Sequence, residues 1–391
     1  MTHEKGRSTR AVHAGTEANE TSSVAMPIFQ SSTFRFRDVD EGRALSEATA
    51  PSHLYTRWGN PTTRAAELAV ADLEGAEAAL CFSSGMAAGS TAVLASVTGG
   101  DHVVVAASLF AGMIELFERV LPRFGVDATF VDGTDLAAFE AAIGDRTTLL
   151  YVETPANPTL ALTDLAGVAA LAKAKGCFTI ADNTWASPIN QRPLELGIDA
   201  VVHSATKYLG GHTDVVSGAA AGSREWIDRV WPMLKVLGGC PSPHDAYLLQ
   251  RGIKTITLRV DRQNATALEL AAFLEEHPHV ERVHYPGLES HPQHELAARQ
   301  MPGGFGGMLA FEVEGGFDAG RAVLERLELA VHAVSLGGVE TLAVHPASTT
   351  HGPLTPEKRA RAGISDGLIR VSVGLEDAAD LIDDFDRALT S

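Results

Sequence analysis

The chain is poor in cysteine, in clustered positive charge and in long apolar runs, and each shortage excludes a class of protein. It has three cysteines, Cys81, Cys177 and Cys240, which lie far apart and form no Cys-x-x-Cys pair. The spacing therefore indicates neither a metal site nor a redox motif. Two of the three lie in apolar runs, which predicts buried thiols.

The charge and the apolar runs narrow the range of partners. The formal net charge is −18 and no block of Lys and Arg interrupts it, so we expect neither nucleic acid nor an anionic membrane as a partner. Residues Met1–Gly15 lack the apolar core of a signal peptide, and no run is long enough to span a bilayer. These features predict a cytoplasmic protein.

From Pro61 onwards, short strand-like apolar runs alternate with helical runs. This alternation is typical of βαβ crossovers, a mostly parallel sheet and ligand binding at the carboxyl ends of the strands. The predicted strands are Ala78–Phe82, His102–Ala106, Ala128–Val131, Thr148–Val152, Cys177–Ala181 and Asp199–His203. The predicted helices between them are Gly85–Val97, Ala111–Phe124, Leu136–Ile143 and Leu165–Lys175.

The rest of the chain divides around this region. Residues 1–60 have weak periodicity and predict an N-terminal arm, while residues 61–254 form the large domain. A long amphipathic helix over Arg251–Phe273 predicts a bridge to a smaller α+β domain, residues 255–391. Its predicted strands and helices are Val280–Tyr285, Gly307–Val313, Leu368–Val373, Gln293–Gln300, Ala319–Leu327 and Asp377–Leu389.

Lys207 lies just after a predicted buried strand, and Ser204 and Thr206 precede it. A lysine in this position can be desolvated enough to act as an amine nucleophile. The two hydroxyl groups could bind a phosphate. A surface lysine after a strand is the commoner arrangement, so the remaining chain must decide between the two.

Two further strand ends carry polar groups. Ser84-Gly85-Met86 ends a strand and begins a helix, whose free amides could bind a phosphate, although an ordinary turn of small residues has the same pattern. Asp182 follows another strand, and a partly buried carboxylate there needs a cation such as a protonated ring nitrogen. An Asx-turn is the alternative.

A substrate carboxylate could be bound by two other residues. Asn157 precedes Pro158 in an extended turn, and Arg370 lies inside an apolar strand, where it needs a carboxylate from a substrate or from the protein itself. A Schiff-base lysine, a phosphate site, a carboxylate for a ring nitrogen and an arginine for a carboxylate together match pyridoxal phosphate (PLP) acting on amino acids.

Collinear motifs along nearly the whole chain resemble the Cys/Met-metabolism (trans-sulfuration) family of PLP enzymes, which contains cystathionine γ-synthases, cystathionine and methionine γ-lyases and O-acylhomoserine sulfhydrylases. The resemblance implies the aspartate-aminotransferase-like, type I PLP-dependent fold with a mostly parallel seven-stranded sheet. The motifs begin at Tyr55-Thr56-Arg57, Ser84-Gly85-Met86, Glu153-Thr154-Pro155, Asp182-Asn183-Thr184, Ser204-Ala205-Thr206-Lys207 and Arg370-Val371-Ser372.

The resemblance also implies roles for individual residues. Lys207 would hold PLP covalently and move the Cα and Cβ protons, and Asp182 would pair with the ring nitrogen. Arg370, Asn157 and the backbone near Ser335 would hold the substrate carboxylate. The remaining implied cofactor-binding residues are Ser84, Gly85, Met86, Phe110, Thr184, Ser204 and Thr206.

The family resemblance gives the arm a function. Tyr55 and Arg57 would reach the cofactor phosphate of the neighbouring subunit, and Tyr55 would also take part in catalysis. An active-site dimer, which the family commonly doubles into a tetramer, would follow.

The chain departs from the family where the γ-substituent is expected. Phe110 replaces the usual tyrosine, and Gly112 replaces the cysteine of methionine γ-lyases. Val344 replaces an acidic residue of cystathionine-handling members, which favours a small or apolar γ-substituent in the substrate. We expect γ-replacement on an activated homoserine first, with cystathionine or methionine γ-lyase activity as the close alternative and transamination as a third option.

Two patterns remain outside this scheme. His284, His291 and His294 lie close together, but His-x-x-His-Glu is not the motif of zinc helices, so we predict a capped loop and no metal site. Trp185 either lines the site or packs in the core.

Overall fold

The computed structural model describes residues 5–349, 352 and 363–390, and a seven-stranded sheet lies at the centre of their first part. Its order along the sheet is β1-β7-β6-β5-β4-β2-β3. The strands are β1 (Ala78–Phe82), β2 (His102–Ala106), β3 (Asp127–Val131), β4 (Thr147–Glu153), β5 (Phe178–Asp182), β6 (Ala200–His203) and β7 (Gly218–Gly222).

The sheet is mostly parallel, as predicted. The pairs β2–β3, β2–β4, β4–β5 and β5–β6 are parallel, whereas β7 is antiparallel to both β1 and β6. The strand β7 was not among the predicted strands, because its sequence Gly-Ala-Ala-Ala-Gly has no β-branched or aromatic residue. Its small residues are fully buried and leave room for helices on both faces.

Helices follow most of the strands. They are α1 (Arg7–His13), α2 (Val39–Glu47), α3 (Pro61–Glu74), α4 (Gly85–Leu94), α5 (Ala111–Glu115), α6 (Leu136–Ala142), α7 (Leu165–Lys175), α8 (Ser187–Asn190), α9 (Arg224–Leu237), α10 (Pro243–Ile253) and α11 (Ile256–Glu276). The predicted helix Ala111–Phe124 is not regular throughout, because π-helical and 3₁₀ turns replace the α-helix from Leu116 onwards and Pro122 cannot donate a backbone hydrogen bond.

The long helix α11 begins five residues later than predicted. The residues before it form the separate helix α10, which ends at Ile253, and α11 begins at Ile256 and extends to Glu276. Both helices present apolar residues to the interior, so the sequence pattern runs on across the break between them. Periodicity alone therefore merged two helices into one.

A second sheet of five strands has the order β10-β11-β12-β9-β8. Three of these strands match predicted strands, but β10 and β11 are too short to be recognised from a sequence pattern. The elements are β8 (Val280–His284), α12 (His294–Gln300), β9 (Met308–Val313), α13 (Gly316–Arg326), β10 (Val331–His332), β11 (Leu342–Val344), β12 (Leu368–Ser372) and α14 (Ala378–Thr390).

One buried apolar cluster joins the two sheets. It contains Ala219 and Ala221 of β7 together with Met308 of β9 and Leu368 of β12. Burial of these side chains holds the carboxyl ends of β4, β5 and β6 next to the loop that links β10 to β11. The functional groups described below lie at this junction.

The N-terminal segment carries little core. Its helix α1 is tied to the body by two ion pairs, Arg7 with Asp261 and Arg10 with Asp72. No helix among residues 5–349 and 363–390 has the combination of length and apolar character that a bilayer crossing requires. The predicted division into an arm and two domains stays a prediction.

Candidate active site

A cavity of about 600 Å³ opens at the carboxyl ends of β4, β5 and β6, where the sequence pattern placed the ligand. It brings together residues from motifs far apart in the sequence. The predicted site residues that line it are Ser84, Gly85, Met86, Phe110, Asn157, Asp182, Thr184, Ser204, Thr206, Lys207, Ser335 and Arg370.

Lys207 is partly buried and its amine points at the loop of the second sheet. Its Nζ donates a hydrogen bond to Ser335 Oγ at 2.7 Å. Burial, and then the positive charge of Arg370, lower the pKa of Lys207 to about 8. A sizeable fraction of the amine is therefore uncharged near neutral pH, as a nucleophile requires.

The N-terminus of α4 forms one wall of the cavity. Ser84 is its N-cap and accepts a hydrogen bond from Ala87 N–H at 3.1 Å, while the preceding amides remain directed at the cavity end of the helix. A Cβ at Gly85 would lie 2.7 Å from Ser204 Cβ, so only glycine fits here. Helix amides and hydroxyl groups together form a site for a phosphate.

The loop after β6 completes this wall. Ser204 N–H donates to Thr184 Oγ1 at 2.8 Å, and Thr206 Oγ1 donates to the carbonyl oxygen of Ser217 at 3.1 Å. These bonds fix the segment that leads into Lys207. The Ser204 hydroxyl makes no hydrogen bond to another described residue and is available to a ligand oxygen.

Asp182 is the last residue of β5, and its carboxylate is enclosed at the base of the cavity. Its Oδ1 accepts the Thr184 backbone N–H at 2.9 Å. Burial raises the pKa of Asp182, while its bonds to Thr184 and the charge of His203 act in the opposite direction. No described side chain forms an ion pair with Asp182, so a protonated ring nitrogen would supply the direct partner that a buried carboxylate needs.

Arg370 on β12 is nearly fully buried, with 4% of its surface exposed. It donates from Nη1 to Asn157 Oδ1 at 3.1 Å and from Nη2 to the Ser335 carbonyl oxygen at 3.0 Å. Its Nε has no partner in the described part of the chain, and no described carboxylate forms an ion pair with it. Burial lowers its pKa to about 10. A carboxylate of a bound ligand would satisfy this guanidinium.

The ring of Phe110 stands at the cavity mouth, half exposed. Its backbone N–H donates to Glu153 Oε2 at 2.7 Å, which holds the residue against the end of β4. A Cβ at Gly112 would lie 2.7 Å from Met86 Sδ and 2.8 Å from the Phe110 ring. A cysteine at position 112 would therefore require both neighbours to move.

Three predicted site residues do not line this cavity. Tyr55 and Arg57 lie on the N-terminal segment, where Tyr55 is half exposed and Arg57 donates to the Lys235 carbonyl oxygen at 2.6 Å. Val344 is fully buried on β11 and pairs with Arg370 across the antiparallel ladder. Residues paired directly across a ladder have side chains on the same face, so the buried side chain of Val344 lies on the face of Arg370, although it is not among the described lining residues, and its contact with the substrate stays a prediction.

Sequence reasoning missed several residues of the lining. Glu153 pairs in register with Asp182, so the argument from strand ends that found Asp182 could have found it too. Burial and the charge of Asp182 raise the pKa of Glu153 well above its usual range. Trp185 lies 5.7 Å from the Arg370 guanidinium and does line the site. The apolar lining residues could not be told from ordinary core residues in the sequence. They include Met113, Val216, Val334 and Leu336.

The three histidines and the cysteines lie elsewhere. His284 pairs with Glu312 at 2.7 Å, and His294 Nδ1 lies 2.9 Å from the carbonyl oxygen of Pro286. No group of metal-ligating side chains occurs within the described ranges. The prediction of buried thiols is confirmed for Cys81 and Cys177, while Cys240 is partly exposed.

The donor set fits PLP. The end of α4 with the loop after β6 would hold the phosphate, Asp182 the ring nitrogen and Lys207 the aldehyde carbon, and Phe110 offers an aromatic face. Two observations support this fit. Gly85 leaves no room for a Cβ, so its backbone could approach the phosphate, and the enclosed carboxylate of Asp182 has no ion-pair partner among the described residues and could pair with the ring nitrogen.

Comparisons with known proteins agree with this geometry. The family described as "Cys/Met metabolism PLP-dependent enzyme" matches residues 8–390. An L-methionine gamma-lyase of Pseudomonas putida is 46% identical over 98% of this chain and 97% of its own. An O-succinylhomoserine sulfhydrylase of Pseudomonas aeruginosa is 42% identical over 98% of this chain and 95% of its own.

A solved structure is also similar along the full length. Cystathionine gamma-lyase from Lactobacillus plantarum, complexed with L-serine, has a TM-score of 0.92 and 38% identity over 99% of both chains. This likeness confirms the predicted type I fold, and the family match confirms PLP as the cofactor. The relatives support the lyase alternative better than the γ-replacement that the sequence placed first.

Proposed function

We propose, from the premise that this chain belongs to the Cys/Met metabolism family of PLP-dependent enzymes, that it eliminates the γ-substituent of a methionine-like amino acid. The products would be a thiol, ammonia and 2-oxobutanoate. The cofactor, when bound, supplies an electron sink for negative charge at the substrate Cα. The protein has to bind the substrate, orient it and move its protons.

The distribution of polar groups around the cavity carries this proposal. Among the described lining residues, the carboxylates are Glu153 and Asp182, which lie at the base beside the cofactor ring. The remaining wall is largely apolar, through side chains such as Val216, Val334 and Leu336. A methylthio group suits that wall, whereas the distal ammonium of cystathionine would find no carboxylate there.

Lys207 is the residue we propose to move protons. Its lowered pKa of about 8 lets the free amine accept a proton from Cα and deliver it again. The hydrogen bond to Ser335 Oγ keeps the amine at the side of the cavity where the second sheet begins. Ser335 thus positions the base.

Arg370 and Asn157 are proposed to bind the substrate α-carboxylate. The guanidinium is already held by Asn157 Oδ1 and by the Ser335 carbonyl oxygen, so a substrate meets a fixed donor pair. Fixing the donor in advance reduces the entropy lost on binding. Val344 pairs directly with Arg370, so the two side chains share one face of the sheet and Val344 would act on the substrate through its position beside the arginine.

The cofactor-binding residues are proposed at three places around the ring. The backbone of Gly85 and Met86 and the hydroxyls of Ser84, Ser204 and Thr206 would surround the phosphate. Asp182, with Thr184 bound to it, would face the ring nitrogen, and Phe110 would stack on the ring. These assignments rest on the family resemblance and on the cavity lining.

The N-terminal arm is proposed to complete the site of a second subunit. Tyr55 and Arg57 lie away from their own cavity, and Arg57 stacks 5.4 Å from the Tyr55 ring. Phe110, Val216 and Val334 at the cavity mouth are at least half exposed in the single chain. An active-site dimer would cover this rim, and two such dimers would form the tetramer that the family resemblance implies, which sedimentation tests.

One substrate panel tests the proposal. The purified holoenzyme is given methionine, cystathionine, O-acetylhomoserine or O-succinylhomoserine, each with and without a thiol, and 2-oxoacid and thiol products are measured. We expect the highest kcat/KM for 2-oxobutanoate release from methionine. A preference of more than tenfold for cystathionine would overturn the argument from the apolar wall.

A second candidate is γ-replacement on an acylated homoserine, and Phe110 favours it. A thiolate leaving group benefits from a nearby acid, and phenylalanine has no proton to give. An acyloxy group leaves as a stable carboxylate and needs no such acid. If thiol-dependent product from O-succinylhomoserine exceeds 2-oxobutanoate from every substrate, this second function is the correct one.

A further inference from the structure

Glu74, the last residue of α3, is a fully buried carboxylate directly behind the site. Its Oε1 accepts from His203 Nε2 at 2.6 Å and from Asn183 Nδ2 at 3.0 Å, while Oε2 has no partner in the described chain. The short contact with His203 Nε2 requires one proton between the two side chains. Because Asn183 already donates to the same carboxyl oxygen, an ionised carboxylate fits this geometry, and it requires a counter-charge.

His203 supplies that charge, since no other described cation pairs with Glu74. The ring is 2% exposed and bonded to the carboxylate. A buried carboxylate without a cation is strongly unfavourable, and a proton on the imidazole would supply that cation. The two side chains would then form an imidazolium–carboxylate pair beneath the cavity.

The pair is joined to the cofactor side by two adjacent strands. Asp182 pairs in register with Val202, the residue before His203, and Asn183 N–H donates to the Val202 carbonyl oxygen at 3.0 Å. Asp182 and Asn183 are neighbours, as are His203 and Ser204. One residue of each neighbouring pair contacts Glu74 and the other lines the cavity.

The amide of Asn183 is held so that it can only donate to Glu74. Its Oδ1 accepts from Gln191 Nε2 at 2.9 Å, and its Nδ2 also donates to the Gln191 carbonyl oxygen at 2.9 Å. Gln191 in turn accepts from Gln300 Nε2 at 3.0 Å. The orientation of the network is therefore fixed from both ends.

We propose that Glu74 and His203 form a positioning pair which keeps Asp182 ionised and directed at the ring nitrogen of the cofactor. The inference rests on the proposed role of Asp182 and is independent of which substrate the enzyme uses. The charge on His203 acts on Asp182 against the effect of burial, in the same direction as the hydrogen bonds from Thr184.

The other charged groups around the pair do not replace it. The elements packed against β6 include α4 and β7, whose sequences contain no acidic or basic residue, and a 3₁₀ turn whose Glu195 is bound to Arg192. On the other side of β5, burial and the charge of Asp182 raise the pKa of Glu153. The titratable residues on β4, β5, α7 and the 3₁₀ turn are Tyr151, Glu153, Lys173, Lys175, Asp182 and Glu195, and those on α3 are Arg64, Glu67, Asp72 and Glu74.

The test compares Glu74→Gln, His203→Gln and the double variant with His284→Gln. The control removes a His–Glu pair of the same geometry, His284 with Glu312 at 2.7 Å, from β8 outside the site. For each protein we would measure the visible absorbance of bound cofactor against pH, the affinity of the apoenzyme for PLP and the melting temperature.

We expect both single variants to displace the pH midpoint of the absorbance change in the same direction, by roughly half a unit or more. The double variant should shift no further than the larger single variant, because the two residues act as one unit. PLP affinity should fall about threefold or more, because a shift of half a pH unit corresponds to about a threefold change in the equilibrium constant. The control should behave as the unaltered enzyme.

A second variant separates charge from packing. His203→Lys keeps a cation beside Glu74 and should restore the absorbance profile even if its melting temperature is low. If Glu74→Gln and His203→Gln lower the melting temperature but leave the midpoint and PLP affinity unchanged, the pair is only structural and the proposal fails. If the glutamine variants do not fold, ¹⁵N-histidine spectra of the unaltered protein decide: a neutral His203 at pH 7 overturns it.

Discussion

Lys207 Nζ and Ser335 Oγ lie 2.7 Å apart, so the reactive amine that follows a strand of one sheet is held by a hydroxyl next to the other sheet. Ser335 has a φ of 96°, a conformation that a non-glycine residue rarely adopts. The same residue offers its carbonyl oxygen to Arg370. One strained residue thus fixes both the proposed base and the proposed carboxylate-binding group.

The lowered pKa of Lys207 makes cofactor attachment depend on pH. The uncharged amine reacts, and its fraction rises as pH passes upward through about 8 and then levels off. We expect the rate at which the apoenzyme takes up PLP, followed by visible absorbance, to show a midpoint near this value. A midpoint above 10 would mean that the amine is not desolvated in solution. Lys207→Ala is the control and should form no covalent adduct without an added amine.

Restoring a phenol at the cavity mouth should favour elimination. Phe110→Tyr adds a proton donor beside the expected position of the γ-substituent, and a well-positioned donor contributes on the order of 10²- to 10⁴-fold. We expect kcat for 2-oxobutanoate release from methionine to rise. Phe124→Tyr is the matched control, since Phe124 is exposed and lies outside the cavity. An unchanged kcat in Phe110→Tyr would show that a phenol at this position does not act as a proton donor in elimination.

Replacing Arg370 by lysine should affect binding far more than turnover. Lysine cannot donate to Asn157 Oδ1, to the Ser335 carbonyl oxygen and to a carboxylate at once, which the planar guanidinium can do. We expect KM to rise by about 10- to 100-fold, in line with about 1.5–3 kcal/mol for a charge-assisted hydrogen bond. The control is Arg262→Lys, because Arg262 is an exposed arginine bound to Asp377. Its steady-state KM gives the effect of replacing an arginine by lysine away from the cavity. If the two variants had the same KM, Arg370 would not be the carboxylate site.

A methyl group at Gly85 should weaken cofactor binding. Its Cβ would lie 2.7 Å from Ser204 Cβ and 2.8 Å from Ser204 Cα, so the two sides of the phosphate wall would have to separate. Gly144→Ala provides the comparison, because a Cβ there meets no atom within 4 Å. We expect Gly85→Ala to raise the dissociation constant for PLP at least tenfold, measured by titration of the apoenzyme. Equal constants in both variants would place the phosphate elsewhere.

The sequence by itself determined the chemistry of the site and much of the sheet. Strands of four to seven apolar residues alternating with helices specify a parallel sheet, because each strand must be buried on both faces. Lys207, Asp182 and Arg370 were found because a charged residue next to a buried strand is costly unless it has a partner. Local composition is enough for such arguments.

Only the tertiary structure decided the relationships between distant residues. Val344 was expected beside the substrate, and only the antiparallel register with β12 shows that its buried side chain lies on the same face of the sheet as Arg370. Strand β7 went unrecognised because its alanines and glycines are dictated by close packing and not by strand propensity. Glu74 and His203 lie 129 residues apart, and no local pattern shows that a buried carboxylate and a buried imidazole will neutralise each other. Pairing of this kind depends on how α3 packs against the sheet, which the chain determines only when it is folded as a whole.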